Sequence, residues 1–462
     1  MKLINENVKN KSRLSSTQII VLGFMLAIFL GSLLLMIPFA TAKGEETNFI
    51  TALFTSTTSI CVTGLVVVDT FSHWSFFGQF IILILIQIGG FGVITLYSAI
   101  MMMLKKRFSL NTRLLIQDYY NLDSIQGLIK FLIRVIKDTF IIEGLGAILY
   151  SFTFIPRFGV LKGMWVSVFN SVSAFCNAGM DVLGNNSLID YQTNVPVTLI
   201  TATLIIMGGL GYVVWFDFIE NVKRSVNKRY SVITFWKRMG EHSKLVIHLT
   251  IFLIVFGTVS VLFFEWDNPE TIGNLSLGNK ILASFFQSVT FRTAGFATIP
   301  QESLTSSTCL LGCVLMFIGG SPVGTAGGIK TVTMFVVLLN VSSFIRNRNE
   351  AVILNRAVSE KLINKANAIV MSNLTLTMFL IIALINVCNV PLLSAVYEIF
   401  SATGTVGLSR GITAGLNNAG MIVVMIGMYA GRIGPISMAL FFSAKRSDKN
   451  EVKYANGHFI VG

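Results

Sequence analysis

Four glycines, Gly64, Gly179, Gly295 and Gly407, stand 115, 116 and 112 residues apart. Each closes a short neutral turn: Val62-Thr63-Gly64, Asn177-Ala178-Gly179, Thr293-Ala294-Gly295 and Thr405-Val406-Gly407. Glycine reaches φ > 0, so its neighbours can aim their carbonyls at a common axis. Rings of carbonyl dipoles replace the hydration shell of a monovalent cation. Side chains here are uncharged, unlike the carboxylate ring that would suit a divalent ion; Asp181 is the one acid close behind a turn glycine. These twelve residues form the candidate filter.

Of the four turns only the last, Thr405-Val406-Gly407-Leu408, approaches the TVGYG sequence of potassium channels, and none has the second glycine. The expectation is one well-made binding ring with weaker ones beside it.

A second group of residues is built to break a helix. The apolar run from Thr308 to Ile345 is interrupted only by Lys330 and holds Gly319, Gly320, Pro322, Gly324, Gly327 and Gly328. As one helix its 38 residues would measure about 57 Å, nearly twice the hydrocarbon core of about 30 Å. Bare backbone inside a bilayer is tolerated only where it is buried or lines a water-filled path. The loop 318–328, with Ser321, Thr325 and Ala326 among its small residues, is therefore the candidate gate. Lys330, at its end, reads either as a snorkelling helix anchor or as a charge coupled to the gate. Arg432 occupies a slot held elsewhere by Gly90, Gly209 and Gly320. An arginine in mid-span costs about 2.5–3.5 kcal/mol on insertion scales, so it should face water or carbonyls. It reads as a partner of the gate loop, or as a clamp between repeats.

Three further charged sites lie near these elements. Arg292 and Arg410 flank two turns; facing the pore they would repel cations, and the favoured reading is structural, each paired with an acid or carbonyls, with Glu398 as a candidate partner. Glu143 sits inside an apolar run, where acids are often functional, but close to the expected cytoplasmic end, where a solvated or paired role fits equally.

What positions these residues is a fourfold repeat. An aromatic precedes each turn glycine by ten residues: Phe54, Phe169, Phe285 and Tyr397. A glycine cluster follows about 25 residues later, reading IGGFG (88–92), MGGLG (207–211), IGGSP (318–322) and AGRIG (430–434). Each repeat is then a span, a short pore-type helix, a glycine turn and a second span. The expected span pairs are 17–37 with 74–104, 131–155 with 195–218, 245–264 with 308–345, and 366–390 with 417–443. The fold class is an all-α polytopic membrane protein: four tandem helix–pore-loop–helix repeats, eight transmembrane helices, and a pseudo-fourfold central pore. The divisions are an N-terminus at 1–16, repeat 1 at 17–104, a loop and repeat 2 at 105–220, a loop and repeat 3 at 221–345, a loop and repeat 4 at 346–443, and a tail at 444–462.

Composition agrees with this class. The 462 residues are 53% hydrophobic and only 12% charged, against about 25% charged in average soluble domains. The net charge of +13 does not point to nucleic acid, because 27 of the 35 Lys and Arg fall in five clusters, 2–13, 105–137, 223–244, 346–365 and 445–453. These alternate with near-neutral or acidic segments, the positive-inside pattern, which puts both termini in the cytoplasm. Ala40-Thr41-Ala42 follows the first apolar run as a signal cleavage site would. That run exceeds a typical h-region, about 7–15 residues, and the repeat needs it as a span. Five cysteines show no disulfide or zinc spacing. The spans hold no HExxH motif, no Ser-His-Asp set and no carboxylate pair, which argues against an enzyme. A secondary transporter with paired or inverted halves is disfavoured by the direct fourfold repeat. GTAGGIKT (324–331) is similar to a phosphate-binding loop, but Ile329 separates Gly328 from Lys330, so no nucleotide site is read there.

The four turns, the GGSPVGTAGGIKT segment and Arg432 together resemble the superfamily of Trk, Ktr and HKT potassium transporters. The likeness covers nearly the whole chain. The roughly 16 polar residues ahead of the first repeat and the closing HFIVG favour the Ktr-type membrane subunit. The resemblance implies potassium uptake at the plasma membrane, with K+ held at the filter glycines. It also implies a homodimer with one pore per subunit and a cytosolic RCK-type ring that binds the regulatory nucleotide, this chain carrying no cofactor. Plant relatives with serine in the first turn pass sodium; Gly64 in that place argues for potassium. A sodium-coupled or sodium-permeable symporter of the same superfamily is the alternative.

Overall fold

The computed structural model describes residues 16–42, 47–92, 127–184, 186–228, 231–348 and 350–434, with 95, 98, 101 and 102 besides. The N-terminal basic cluster, the loop residues 105–126, the tail 444–462 and its HFIVG ending lie outside the described residues.

Each repeat begins with a long apolar helix: α1 (Ser16–Leu35), α4 (Leu128–Phe158), α8 (Glu241–Phe264) and α12 (Glu360–Cys388). All four are long and apolar enough to cross a bilayer. Phe140, Leu145, Ile148 and Phe152 of α4 are exposed along one face, the apolar band that lipid would cover.

A short helix follows in each repeat: α2 (Phe49–Cys61), α5 (Val160–Cys176), α9 (Leu277–Thr290) and α13 (Leu392–Gly404). These are the pore-type helices, and their C-terminal halves are buried despite being rich in Ser and Thr. Small residues allow this. Ser56, Ser171 and Ser288 pack on Gly31, Gly146 and Gly257 of the preceding long helix. Their hydroxyls donate to the carbonyls of Ile28, Glu143 and Ile254 at 2.7, 2.6 and 2.8 Å. A hydroxyl satisfied on a close helix backbone suits packing in lipid.

The chain then turns back into α3 (Phe76–Phe91), α6 (Val195–Leu210), α10 (Ser306–Phe317) and α14 (Asn418–Ile433). Each of these inner helices is N-capped by a side chain that accepts a backbone N–H: Ser75, Asn194, Thr305 and Asn417. Such caps stabilise a helix by about 0.5–2 kcal/mol.

The inner helices depart from the continuous second spans expected at 74–104, 195–218 and 417–443. With 12 to 16 residues each they reach only about 18–24 Å. Gly92, Gly211 and Gly434 end three of them at φ 79°, 88° and 91°, backbone that residues with a Cβ rarely adopt. In repeat 2 the chain bends by 101° and continues as α7 (Tyr212–Lys228). In repeat 3 the same place is Pro322, and the break widens into a loop before α11 (Thr331–Ile345). The length argument applied to repeat 3 therefore under-read the other repeats, whose glycine clusters break the helix as well. A hairpin of β1 (Val352–Ile353) and β2 (Arg356–Ala357) precedes α12.

The repeat register also slips by one residue in repeat 3. Phe54, Phe169 and Tyr397 are fully buried, but the buried ring in repeat 3 is Phe286, with Phe285 only half-buried. Ser288 lies seven residues before Gly295, whereas Ser56 and Ser171 lie eight before theirs. One residue is missing between helix and glycine, so spacing counted back from the glycine selects the wrong phenylalanine.

Candidate ion pathway

The pore-type helices end in a common geometry. Val62, Asn177 and Thr405 take the left-handed C-cap conformation, with φ of 54°, 59° and 51°. The next N–H donates back to the carbonyls of Thr58, Ser173 and Ser401 at 2.9, 2.8 and 2.8 Å, the six-to-one bond of a Schellman cap. The hydroxyls of those residues then accept from the N–H of Gly64, Met180 and Gly407. In repeat 3 the equivalent residue, Thr290, instead donates to the Phe296 carbonyl at 2.6 Å. A hydroxyl six residues before the glycine recurs in repeats 1, 2 and 4, and that spacing was the signal available in the sequence for these supporting residues.

Beyond the caps, positive φ recurs at every second residue: Val62 with Gly64, Asn177 with Gly179, Thr293 with Gly295, and Thr405 with Gly407. The four turns meet in cyclic order. A methyl group on Gly64 would lie 2.5 Å from the Ala178 oxygen, one on Gly179 2.6 Å from the Ala294 oxygen, and one on Gly295 2.6 Å from the Val406 oxygen. One on Gly407 would meet the Thr63 oxygen and close the ring. All twelve candidate filter residues thus lie in four turns around one axis. Among the described residues, no N–H or O–H donates to any of their twelve carbonyls. The buried hydroxyls of Thr63, Thr293 and Thr405 likewise have no partner. Orphaned buried carbonyls carry a cost of several kcal/mol each in a bilayer, which a cation drawn into the ring would remove. The partial negative charge at the four helix C-termini adds to that attraction.

The loop of repeat 3 lies against this ring. Its two ends are pinned together: Gly319 N–H donates to Ile329 O at 2.8 Å, and Thr331 N–H to Gly320 O at 3.0 Å. On one side Ser321 N–H and Thr325 N–H donate to Gly209 O and Gly208 O, and Tyr212 N–H donates to Val323 O beside Pro322 and Gly324. The Thr325 hydroxyl reaches Phe175 O at 3.0 Å. On the other side a Cβ on Gly327 would strike the Thr405 side chain, and Gly328 abuts Gly404. Gly319, Gly320, Gly324 and Gly327 all touch backbone or side chains where a Cβ would fit poorly. The loop therefore bridges the broken end of the repeat 2 inner helix and the C-terminus of α13 in repeat 4, beside the candidate filter.

Arg432 joins a third repeat to it. Its guanidinium donates to the carbonyl of Thr325 in the loop and to that of Gly89 in repeat 1. Lys330 does not snorkel; it precedes α11 and its ammonium donates to the Ala326 carbonyl within the loop.

Of the other charged residues, Arg292 and Arg410 meet carbonyls as expected, whereas the candidate acid partner is placed elsewhere. Glu398 does not pair with either arginine; it accepts from the hydroxyls of Ser409 and Thr413. Arg410 instead donates to the carbonyls of Gln301, Glu302 and Leu304 and to Cys309 Sγ. Arg292 is buried, and its nearest acceptor is Gly319 O at 3.5 Å. Glu143 is 4% exposed and accepts from Gln87 Nε2 at 3.1 Å, so the solvated reading fails. Asp181 is spent locally, accepting from Leu183 N–H at 3.1 Å. Among the described residues no group of three or more His, Cys, Asp and Glu could hold a metal ion.

A family model described as a cation transport protein matches residues 5–453. With the helical repeats, this defines a multi-pass membrane protein that transports cations and is not an enzyme. The chain belongs to the TrkH family of cation transport proteins. It is 36% identical over 462 residues to the Ktr system potassium uptake protein B of Bacillus subtilis, covering 100% of both chains. It is also 36% identical over 458 residues to the potassium/sodium uptake protein NtpJ of Enterococcus hirae, covering 98% of each. The crystal structure of the potassium transporter TrkH from Vibrio parahaemolyticus matches 94% of this chain and 86% of that one with a TM-score of 0.73 at 17% identity, a likeness of fold.

Proposed function

We propose that the chain is the membrane subunit of a potassium uptake system, with the four turns as its selectivity filter. The observation that carries this reading is the cyclic packing of Gly64, Gly179, Gly295 and Gly407 with unbonded carbonyls around them. A dehydrated monovalent cation exchanges water oxygens for these carbonyls, and neutral side chains give a divalent ion no compensating charge. Loop 318–328 is the gate. It lies at the filter, is tied to repeats 1, 2 and 4 by backbone bonds and Arg432, and is made of small residues that let it shift. The alternation of basic segments supports a reading with both termini in the cytoplasm.

The relatives' names support the cargo and a partner. Three are called potassium uptake proteins of a Ktr system, which fits a cytosolic RCK-type ring that binds the regulatory nucleotide, with this chain acting as a homodimer and carrying no cofactor itself. The Enterococcus relative is named for potassium and sodium, so sodium passage or coupling is the second reading.

The test is potassium uptake by a transport-deficient cell expressing this chain, with and without candidate cytosolic subunits, and with and without sodium. Saturable potassium uptake that sodium neither drives nor replaces is the expected result. Uptake that requires sodium establishes the second reading, and no cation uptake under any condition overturns both.

A further inference from the structure

Where α3 of repeat 1 meets α4 of repeat 2 lies a cavity of about 620 Å³. Its walls are apolar, including Ile84, Phe91, Ile136 and Phe140, and Ile84 and Phe140 are exposed on the lipid-facing surface. Its polar residues include Gln87 and Glu143. Glu143 Oε1 is taken by Gln87 Nε2 at 3.1 Å and by Cys176 Sγ at 3.6 Å. Among the described residues, Glu143 Oε2 has no partner and no donor reaches the Gln87 oxygen. No Lys, Arg or His among the described residues lines the cavity. Among the described residues, no carboxylate lines the cavities at the seams of repeats 4 and 1, about 530 Å³, and of repeats 2 and 3, about 340 Å³.

An intramembrane carboxyl with a free acceptor, beside a second free acceptor and with no basic side chain among the described lining residues, is complementary to a cationic hydrogen-bond donor. Apolar walls facing lipid suit a hydrocarbon chain. We propose that this cavity binds an amphiphile with an ammonium head, its N–H groups donating to Glu143 and Gln87 and its chain lying along Ile84, Ile136 and Phe140. The site sits at the seam of repeats 1 and 2, outside the filter and the loop, and is reached from the bilayer.

Gly144 supplies a clean blocking variant. It lines the cavity, and a Cβ there meets nothing within 4 Å, so Gly144→Phe fills the space without a backbone clash. The experiment measures the unfolding temperature of the full chain in lipid nanodiscs as dodecylamine is titrated into the bilayer. Dodecyltrimethylammonium, of the same charge without N–H donors, and uncharged dodecanol are run beside it. Ligand binding to the native state stabilises it in proportion to occupancy, so dodecylamine should raise the wild-type temperature saturably. The mole fraction for half the effect should rise about tenfold or more in Gly144→Phe, in Glu143→Gln, and for the trimethylated analogue. No saturable shift in the wild type, the same shift in Gly144→Phe, or equal potency of the two ammonium compounds overturns the proposal. Should Glu143→Gln fail to fold, Gly144→Phe and the analogue carry the comparison by themselves.

Discussion

The Ala178 carbonyl oxygen stands 2.5 Å from where a Cβ on Gly64 would lie. Gly64 also holds φ at 98°. A side chain there meets two obstacles at once, a left-handed backbone that costs about 1–3 kcal/mol for a residue with a Cβ and a carbonyl of the neighbouring repeat. Gly64→Ser should therefore displace the ring and lower potassium preference over sodium by roughly tenfold, since about 1.4 kcal/mol is a factor of ten. Competition of sodium against rubidium uptake measures it; unchanged selectivity counts against the filter assignment.

Shortening the gate tests the loop. Removing Gly324–Gly327 deletes the segment that touches Gly208 and Thr405 and the carbonyl held by Arg432. Maximal uptake velocity should rise several-fold with apparent KM within about twofold, the pattern of a lost barrier rather than lost binding. A velocity equal to wild type refutes the gate.

Arg432 distinguishes a latch from a clamp. Its two bonds join the loop to repeat 1, and bonds to charged donors contribute about 1.5–3 kcal/mol each. Arg432→Gln should raise velocity as loop shortening does, and Arg432→Lys should fall between, because a point charge cannot fork to two carbonyls as guanidinium does. If both variants only lower the unfolding temperature and leave velocity unchanged, Arg432 is a structural clamp.

The repeat and the positions of the turns were legible because spacing near 115 residues recurs with chemistry attached. The helix breaks were legible in part. Gly319 to Gly328 with Pro322 forced a loop, but a single glycine such as Gly211 sits in many unbroken spans, and only its φ of 88° and the bend it makes reveal the break. Partners across repeats were the least legible. Glu398 finds Ser409 and Thr413 within its own repeat, and Arg410 finds carbonyls of repeat 3. Charge type suggests an ion pair, yet hydroxyls and carbonyls satisfy these groups equally well, and nothing in local spacing decides between them.

Glu265 gives a pH dependence outside the spans. It caps α8, and although burial alone would push its carboxyl up, hydrogen bonds from Thr308, Thr305 and Thr271 outweigh this and hold it below the usual carboxylate range. The Thr305 N–H and hydroxyl reach Oε1 at 2.9 and 2.8 Å. A depressed folded value means that the stabilisation is complete above the unfolded pKa of about 4.3 and is lost as pH falls through the folded one. Glu265→Gln should melt below wild type at pH 7, with the gap closing as pH falls below about 4. A gap that stays constant with pH rules out this role for the carboxylate.

The register slip in repeat 3 separates two adjacent phenylalanines. Phe286 is 0% exposed and belongs to the buried core, while Phe285 is half-buried at its edge. Truncating a fully buried phenylalanine costs about 3–5 kcal/mol, and the cost falls with exposure because less contact is lost. Phe286→Ala should therefore lower the unfolding temperature at least about twice as much as Phe285→Ala. The ring matters beyond stability, since α9 carries Thr290 and leads into Thr293-Ala294-Gly295, so loosening its anchor should also weaken potassium preference. The two substitutions differ only in which face of one helix they strip. Equal losses would mean that Phe286 is not the sole aromatic anchor, and a larger loss at Phe285 would mean that the anchor follows the spacing counted from Gly295.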